Sequence, residues 1–296
     1  MPKKITVFTP TYNRTYILGQ LYQSLLRQSY KNFCWLIIDD GSTDRTRELI
    51  GQWINEKKIE IRYFYQKNSG KMVAHNQGVE KTDTELFVCV DSDDYLVDNA
   101  IELLVEQWDK YNNESTIGII ARRASADGKQ MGKGEFPQKK ICKMGSFMGK
   151  TFSGDTTICF ETSKLEEYKL PVIKGDKFIT EAFLYDQIDH DGYEYILIDQ
   201  PITICEYRQD GYTMNMDLIS YQNPVGRMFH EAQNLQYSKS FSDKAKACIR
   251  YNMYKDIGHH SDIRKFNFPE CLLLLGTSIP GYISYRQKKK RVSKYL

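Results

Sequence analysis

The sequence has no Cys-x-x-Cys pair among its seven cysteines, so neither a zinc ribbon nor a thioredoxin-type redox motif is written in it. The cysteines, at 34, 89, 142, 159, 205, 248 and 271, are odd in number and mostly lie on apolar runs such as Leu86-Phe-Val-Cys-Val90. That pattern points to reduced, buried thiols in a cytoplasmic setting. No apolar leader follows Met-Pro-Lys-Lys, and no run approaches the ~18 to 20 apolar residues a spanning helix needs. Secreted and transmembrane readings drop out. The expected location is the cytoplasm, at most peripherally on the inner face of the cell membrane. No internal repeat is present, and His75, His190, His230, His259 and His260 show no ligand spacing, which leaves them structural or surface residues.

What is there is ordinary globular protein. At 296 residues, 41% hydrophobic and 27% charged, the chain can bury a core. Its net charge of +3 is unevenly placed: Arg286 to Leu296 carry six basic residues and no acid, leaving the rest of the chain at −3. A mildly acidic body with a basic tail is not the charge pattern of a nucleic-acid-binding domain, which spreads its cations over one folded face. The tail invites an anionic partner.

The first 120 residues alternate strand and helix patterns. Ile5-Thr-Val-Phe8, Cys34-Trp-Leu-Ile-Ile38, Ile59 to Tyr65, Leu86 to Val90 and Ile117 to Ala121 read as strands. Between them Ile17, Leu18, Leu21, Tyr22, Leu25 and Leu26, then residues 44 to 57, then Ile101, Leu104, Val105 and Trp108, recur at helical spacing. Such alternation predicts an α/β fold, doubly wound about a mostly parallel sheet. Ligands of such sheets sit beyond the carboxyl ends of the strands. Here those ends carry Thr9 to Asn13, Asp39-Asp40-Gly41, Gln66 to Gly70 and Asp91-Ser-Asp-Asp94. Residues 129 to 152, rich in Gly, Lys and Met, read as a long connection or mobile flap, and the chain after Tyr207 reads as helical.

Asp91, Asp93 and Asp94 can converge on a hard cation such as Mg²⁺ or Mn²⁺, which keeps open positions for substrate phosphates. Alternatively they serve the dipole of the helix that follows. Asp39 to Asp44 offers a carboxylate for a base or ribose, or else a turn at Gly41 and a cap at Ser42 or Thr43.

Val7-Phe-Thr-Pro-Thr-Tyr-Asn-Arg14, Leu36-Ile-Ile-Asp-Asp-Gly-Ser-Thr-Asp44, Asn68-Ser-Gly-Lys-Met-Val-Ala-His-Asn-Gln-Gly78 and Val90-Asp-Ser-Asp-Asp94 resemble, in order and spacing, the successive motifs of family 2 glycosyltransferases. The resemblance implies a GT-A fold, a nucleotide-sugar donor, a divalent metal (Mn²⁺ or Mg²⁺) and inversion at the anomeric carbon. It covers the first 120 residues strongly and residues 156 to 212 more loosely. By that resemblance Thr9, Pro10 and Tyr12 border the nucleotide base, and Asp40 hydrogen-bonds it, with uracil the expected base. Lys71 and Asn76 line the sugar and phosphate side. Asp93 is the main metal ligand, with Asp91 or Asp94 reaching ribose or metal-bound water.

In an inverting transfer one positioned carboxylate must take the acceptor's proton. Glu181 falls where the family places this base, although Ala182 follows it where the family often has Asp; Asp186 is the runner-up. Arg208, in Glu206 to Gly211, adds positive charge near the diphosphate or is a solvated surface residue. The resulting expectation is a GT-A domain over residues 1–216, divided into a nucleotide-sugar half (1–120) and an acceptor half (121–216). A helical extension with the basic tail follows over 217–296. The acceptor expected is a saccharide or lipid-linked saccharide of surface polysaccharide synthesis. Apolar and aromatic residues from Phe266 to Tyr285 followed by six cations form the two-part pattern of peripheral binding to an anionic membrane. The alternatives are a core-packing helix with a solvated end and, for the whole chain, a non-catalytic scaffold that binds nucleotide without turnover.

Overall fold

In a computed structural model, residues 3–206, 208, 211 and 214–295 are described. The chain divides into two compact units, Met1–Lys169 with Tyr185–Glu206, and Leu170–Leu184 with Tyr207–Leu296.

The first unit is an α/β fold. Its strands are β1 (Ile5–Thr11), β2 (Phe33–Asp39), β3 (Glu60–Tyr65), β4 (Leu86–Cys89), β5 (Tyr95–Leu96), β6 (Thr116–Ala124), β7 (Lys133–Gly134), β8 (Ile141–Cys142), β9 (Phe152–Ser153), β10 (Thr156–Glu161) and β11 (Glu194–Ile204). The helices over the same stretch are α1 (Leu18–Arg27), α2 (Thr46–Glu56), α3 (Lys71–Glu80), α4 (Ala100–Tyr111), α5 (Thr162–Leu165) and α6 (Ala182–Asp191). The main sheet runs β3-β2-β1-β4-β10-β6-β11-β5, with β8 on β11. The pairs β3–β2, β2–β1 and β1–β4 are parallel, so the four motif-bearing strands end on one edge. Strand β10 is antiparallel to both β4 and β6 and returns β6 to the direction of β4.

Side-chain alternation along the strands sends two sets of residues to opposite faces. Val7 and Trp35 join the core with Leu18, Leu21, Tyr22 and Leu25 of α1 and Trp53 of α2. Tyr22 and Trp53 stack at 4.4 Å and Trp35 lies 5.8 Å from Trp53. Phe8 and Phe87 take the other face, stacked at 5.2 Å, where His75 of α3 meets both edge-on. Helix α3 carries weak periodicity in the sequence because two of its buried positions are His75 and Gly78. Gly78 is needed there: a Cβ would stand 2.5 Å from the Phe8 ring. His75 is thus a core histidine, as its lack of ligand spacing suggested.

Residues 129 to 152, expected as a long connection or mobile flap, hold short strands and a buried aromatic cluster. Strands β7 and β9 pair, and Phe136, Phe147 and Phe152 are buried against one another. Arg122 lies 4.4 Å over Phe136 and 5.1 Å over Phe152 and pairs with Asp199. An aromatic cluster spaced irregularly along the chain has no period to read, so this folding left no pattern in the sequence.

The second unit is helical: α7 (Met216–Gln222), α8 (Pro224–Tyr237), α9 (Phe241–Gly258), α10 (Phe268–Gly276) and α11 (Ser278–Val292). Met228, Ala232, Tyr251 and Tyr254 form its centre, and Leu235, Ala247 and Cys248 a second cluster. The basic tail is the end of α11: Val292 is fully buried and Lys288 is 5% exposed, its ammonium 2.9 Å from Asp217 Oδ1.

Candidate active site

The loops after β1, β2 and β3 are built on each other. Asn13 adopts a left-handed conformation, φ 53°, and its N–H donates to Ser42 Oγ while its Oδ1 accepts from Thr43 N. Gly41, φ +86°, lies against the β3 loop so closely that a Cβ would meet Asn68 N at 2.7 Å. Asp39 is fully buried and accepts from Ser42 N at 2.8 Å and Tyr63 OH at 2.7 Å.

Asp40 is 5% exposed, and its carboxylate accepts from Gln66 Nε2 (2.6 Å), Ser69 N (2.7 Å) and Gly70 N (2.8 Å). Those bonds set the loop that starts α3. About four lone-pair sites exist on a carboxylate, so about one stays open to a ligand donor. Thr9 is fully buried, its hydroxyl accepting from Trp35 Nε1 at 3.0 Å, and Pro10 is buried too. Of the three residues expected around the base, Tyr12 alone has an open side chain, 47% exposed.

The strand-end acids meet cations. Lys71, at the first turn of α3, places Nζ 2.7 Å from Asp91 Oδ1. Burial opposes ionisation of Asp91, but Lys71, Arg123 and Arg14 outweigh it and hold its carboxyl below the usual range. Asp94, 6% exposed, pairs with Arg123 Nη1 at 3.2 Å. Burial, aided by the charges of Asp91 and Asp93, nevertheless pushes the Asp94 carboxyl up to about 7. Arg123 also donates to Thr157 Oγ1 and reaches Cys205 Sγ, and the acids around it raise its own pKa. Arg123 was missed in the sequence because no motif contains it. The one available signal was Arg122-Arg123 at the carboxyl end of the apolar run Ile117 to Ala121, on the edge where the other polar clusters lie.

Asp93 is half-buried between these two pairs in the chain. Among the described residues no three His, Cys, Asp or Glu side chains gather as a ready-made metal cage. The acids still fit Mg²⁺ or Mn²⁺ chemistry, since such ions are commonly held by one or two carboxylates together with substrate phosphates. Of the three, Asp91 is paired with Lys71 and Asp94 with Arg123. Asn76 is half-buried on α3, five residues after Lys71.

Glu181 is half-buried in the turn before α6, and Asp186 is half-buried within α6. Glu181 belongs to the segment Leu170–Leu184, which folds with the helical unit, and Asp186 to the sheet unit. That segment is fastened to α8. Asp176 Oδ2 accepts from Gly226 N (2.9 Å), Lys177 N donates to Asn223 Oδ1 (2.7 Å), and Gln233 Nε2 donates to Phe183 O (2.9 Å). A Cβ on Gly226 would stand 2.1 Å from Phe178 O. Arg208 is half-buried; Tyr207, Gln209 and Asp210, in the same expected donor-side segment, lie outside the described residues. A cleft at the amino-terminal end of the strands, lined by Lys3, Lys31, Phe33 and Lys58, contains none of the motif residues.

A parallel αβ half extended through an antiparallel strand, with acids and cations at the strand ends, is an arrangement of the GT-A type. The chain belongs to Glycosyl transferase family 2, whose pattern matches residues 6–166. It is 25% identical over 316 aligned positions, covering 99% of both chains, to the GalNAc(5)-diNAcBac-PP-undecaprenol beta-1,3-glucosyltransferase of Campylobacter jejuni. It also matches an uncharacterized glycosyltransferase of Rickettsia bellii at 32% identity, spanning half of this chain but about a fifth of that longer protein. Among solved structures, S. aureus TarS 1-349 in complex with UDP-GlcNAc aligns with a TM-score of 0.63 at 14% identity, over 99% of this chain and 92% of that one. The mannosyltransferase PcManGT of Pyrobaculum calidifontis, in complex with GDP-Man and Mn2+, aligns at 0.58 and 14% over 97% and 84%. At such identities the structural likeness establishes the fold.

Proposed function

We propose that the protein is an inverting glycosyltransferase that moves a sugar from a UDP-sugar to a saccharide or lipid-linked saccharide acceptor in surface polysaccharide synthesis. The observation that carries this is the cluster at the strand ends, where Lys71, Arg123 and Arg14 act on Asp91. Such cations beside carboxylates suit a diphosphate, which charge-assisted hydrogen bonds hold firmly. On this reading Tyr12 and the remaining acceptor site of Asp40 serve the base and Lys71 and Asn76 the sugar and diphosphate, with Arg208 as a further cation for the diphosphate. Asp93, with Asp91, would hold a divalent cation, which supplies positive charge to the diphosphate leaving group.

The acceptor hydroxyl attacks the anomeric carbon as the bond from that carbon to the diphosphate oxygen breaks. Glu181 takes the hydroxyl proton, UDP leaves, and the configuration inverts. The catalytic domain on this reading is 1–216, with 217–296 as its helical extension. The lipid-linked acceptor of the Campylobacter relative supports the acceptor class.

Calorimetry with UDP-, GDP- and dTDP-sugars tests the reading. UDP-sugar should bind with Mn²⁺, and Asp93→Ala should abolish that metal-dependent binding while the protein stays folded. Unchanged UDP affinity in the variant would remove the metal role from Asp93. Binding by the wild type with no donor turnover under Mn²⁺ would favour the scaffold alternative.

A further inference from the structure

Helices α10 and α11 divide their side chains sharply between two directions. On α10, Leu273 and Leu274 pack toward Cys248, Tyr251 and Phe266, while Phe268, Leu272 and Leu275 are 75%, 57% and 73% exposed. On α11, Gly281, Lys288 and Val292 are buried and Tyr285 is partly so, a spacing of four, three and four residues that defines one inward face. The outward face begins with Ile279, Tyr282 and Ile283, 73%, 50% and 51% exposed, and continues with exposed Arg286, Lys289 and Lys290.

The orientation of both helices is fixed. Asn267 and Glu270 form a reciprocal cap at the start of α10. At the corner, Asn252 Nδ2 donates to Leu274 O and Thr277 Oγ1. Gly281 lets α11 approach α9 so closely that a Cβ would stand 2.6 Å from Asn252 Cβ. The exposure is therefore a property of well-capped, well-packed helices. Single exposed apolar residues are common on protein surfaces, but a run of six on adjoining helices marks an interaction site.

We propose that the outward ridge of α10 and α11 is an interfacial membrane-binding element for an anionic bilayer. Phe268, Leu272, Leu275, Ile279, Tyr282 and Ile283 enter the boundary between headgroups and acyl chains. Arg286, Lys289 and Lys290 contact the lipid phosphates. The charge pattern selects this occupant: no acid stands anywhere from Cys271 to the C-terminus, and Glu270, ahead of it, is paired with Arg264. A protein partner or a second copy would have to match a cationic half and an apolar half at once. An anionic bilayer offers both at fixed depths. No helix of the described residues is long and apolar enough to cross a membrane, so the contact is interfacial. Lys288, bonded to Asp217, takes no part, which moves the anchor from the basic tail as a whole to one face of it. The proposal agrees with a lipid-linked acceptor yet rests on the surface alone, and its test needs neither donor nor acceptor.

Co-sedimentation with phosphatidylglycerol-containing and with pure phosphatidylcholine vesicles is the test. The wild type should pellet with the former and much less with the latter. Substituting Leu272→Ser, Leu275→Ser and Ile279→Ser together should abolish pelleting with thermal unfolding unchanged, since all three are exposed. Lys289→Glu with Lys290→Glu should weaken binding at low salt by at least about tenfold, given roughly 1 kcal/mol per basic residue near such a surface. Lys57→Glu with Lys58→Glu, in the sheet unit and outside the ridge, should pellet like the wild type. The proposal is overturned if the wild type fails to pellet or if the triple serine variant pellets equally well. It is also overturned if the ridge instead drives self-association that the triple variant abolishes without any vesicle binding.

Discussion

Asp94 is a carboxyl group held where water cannot help it. Beside Asp91 and Asp93, and 6% exposed, it keeps its proton to about pH 7, against an ordinary value of 3.8, although Arg123 pulls the other way. The sign follows from linkage. Between those two values the unfolded chain releases the proton while the folded chain retains it, so this group's contribution to stability declines as pH rises through the window. Asp94→Asn, which mimics the protonated acid, should flatten that decline. Urea midpoints at about pH 5 and about pH 8 would show it: the wild type should lose more stability across the interval than the variant. An equal loss in both would mean that Asp94 is ionised throughout and that Arg123 has won.

At the same scale, the motif positions were legible and their partners were not. Asp40, Lys71 and Asp91 announce themselves because motif, strand end and charge coincide. That Asp40 spends most of its acceptor capacity on Gln66, Ser69 and Gly70 is a tertiary fact. So is the burial of Thr9 beneath Trp35. Pairing across the sheet brings Arg123 to Asp94 from 29 residues away, and no local pattern carries such a distance.

Among the elements, the segment before α6 and the start of α8 act as a pair. If Glu181 is the base, its placement depends on Asn223, Gly226 and Gln233. Glu181→Gln should retain donor binding and lower transfer by at least about a hundredfold. Gly226→Ala pushes a methyl group at Phe178 O, and a displacement on the order of 1 Å in a positioning element can cost about a hundredfold. It should therefore lower kcat and leave donor affinity unchanged. Combined, the two substitutions should cost no more than Glu181→Gln alone, because misplacing a base that is already gone does nothing further. Full additivity would show that α8 acts on something else, while a normal rate for Glu181→Gln would shift the role to Asp186. Most helices and strands could be read in advance from Leu, Ile and Trp spacing, as α1, α2 and α4 show. Helix α3 and the aromatic knot at Phe136, Phe147 and Phe152 could not, since neither rests on a repeating apolar period.

For the whole molecule, the sequence distinguishes a folded body from a basic tail, whereas the structure shows helix α11 folded through Val292. Deleting Arg286 to Leu296 should therefore lower the stability of the helical unit. Burying a valine such as Val292 contributes about 1.5–3 kcal/mol on its own. A thermal melt of the truncated chain checks this, and an unchanged midpoint would return the tail to solvent. Loss of vesicle binding on such a deletion would consequently say little, which is why exposed point substitutions are the better probe of the ridge.

The chain enters the helical unit twice, over Leu170–Leu184 and again after Glu206, with the last helix and strand of the sheet unit lying between. No single scission yields two whole parts. A recombination event that replaced everything after residue 206 would inherit Asp176, Phe178 and Phe183 from one parent and the α8 surface they rest on from the other. Gly226 would be the narrowest point of that mismatch, because any larger residue arriving there collides with the inherited Phe178 carbonyl. Exchange of the helices after residue 206 between relatives should therefore succeed only when residues 170–184 travel with them, so the heritable module is discontinuous in the gene.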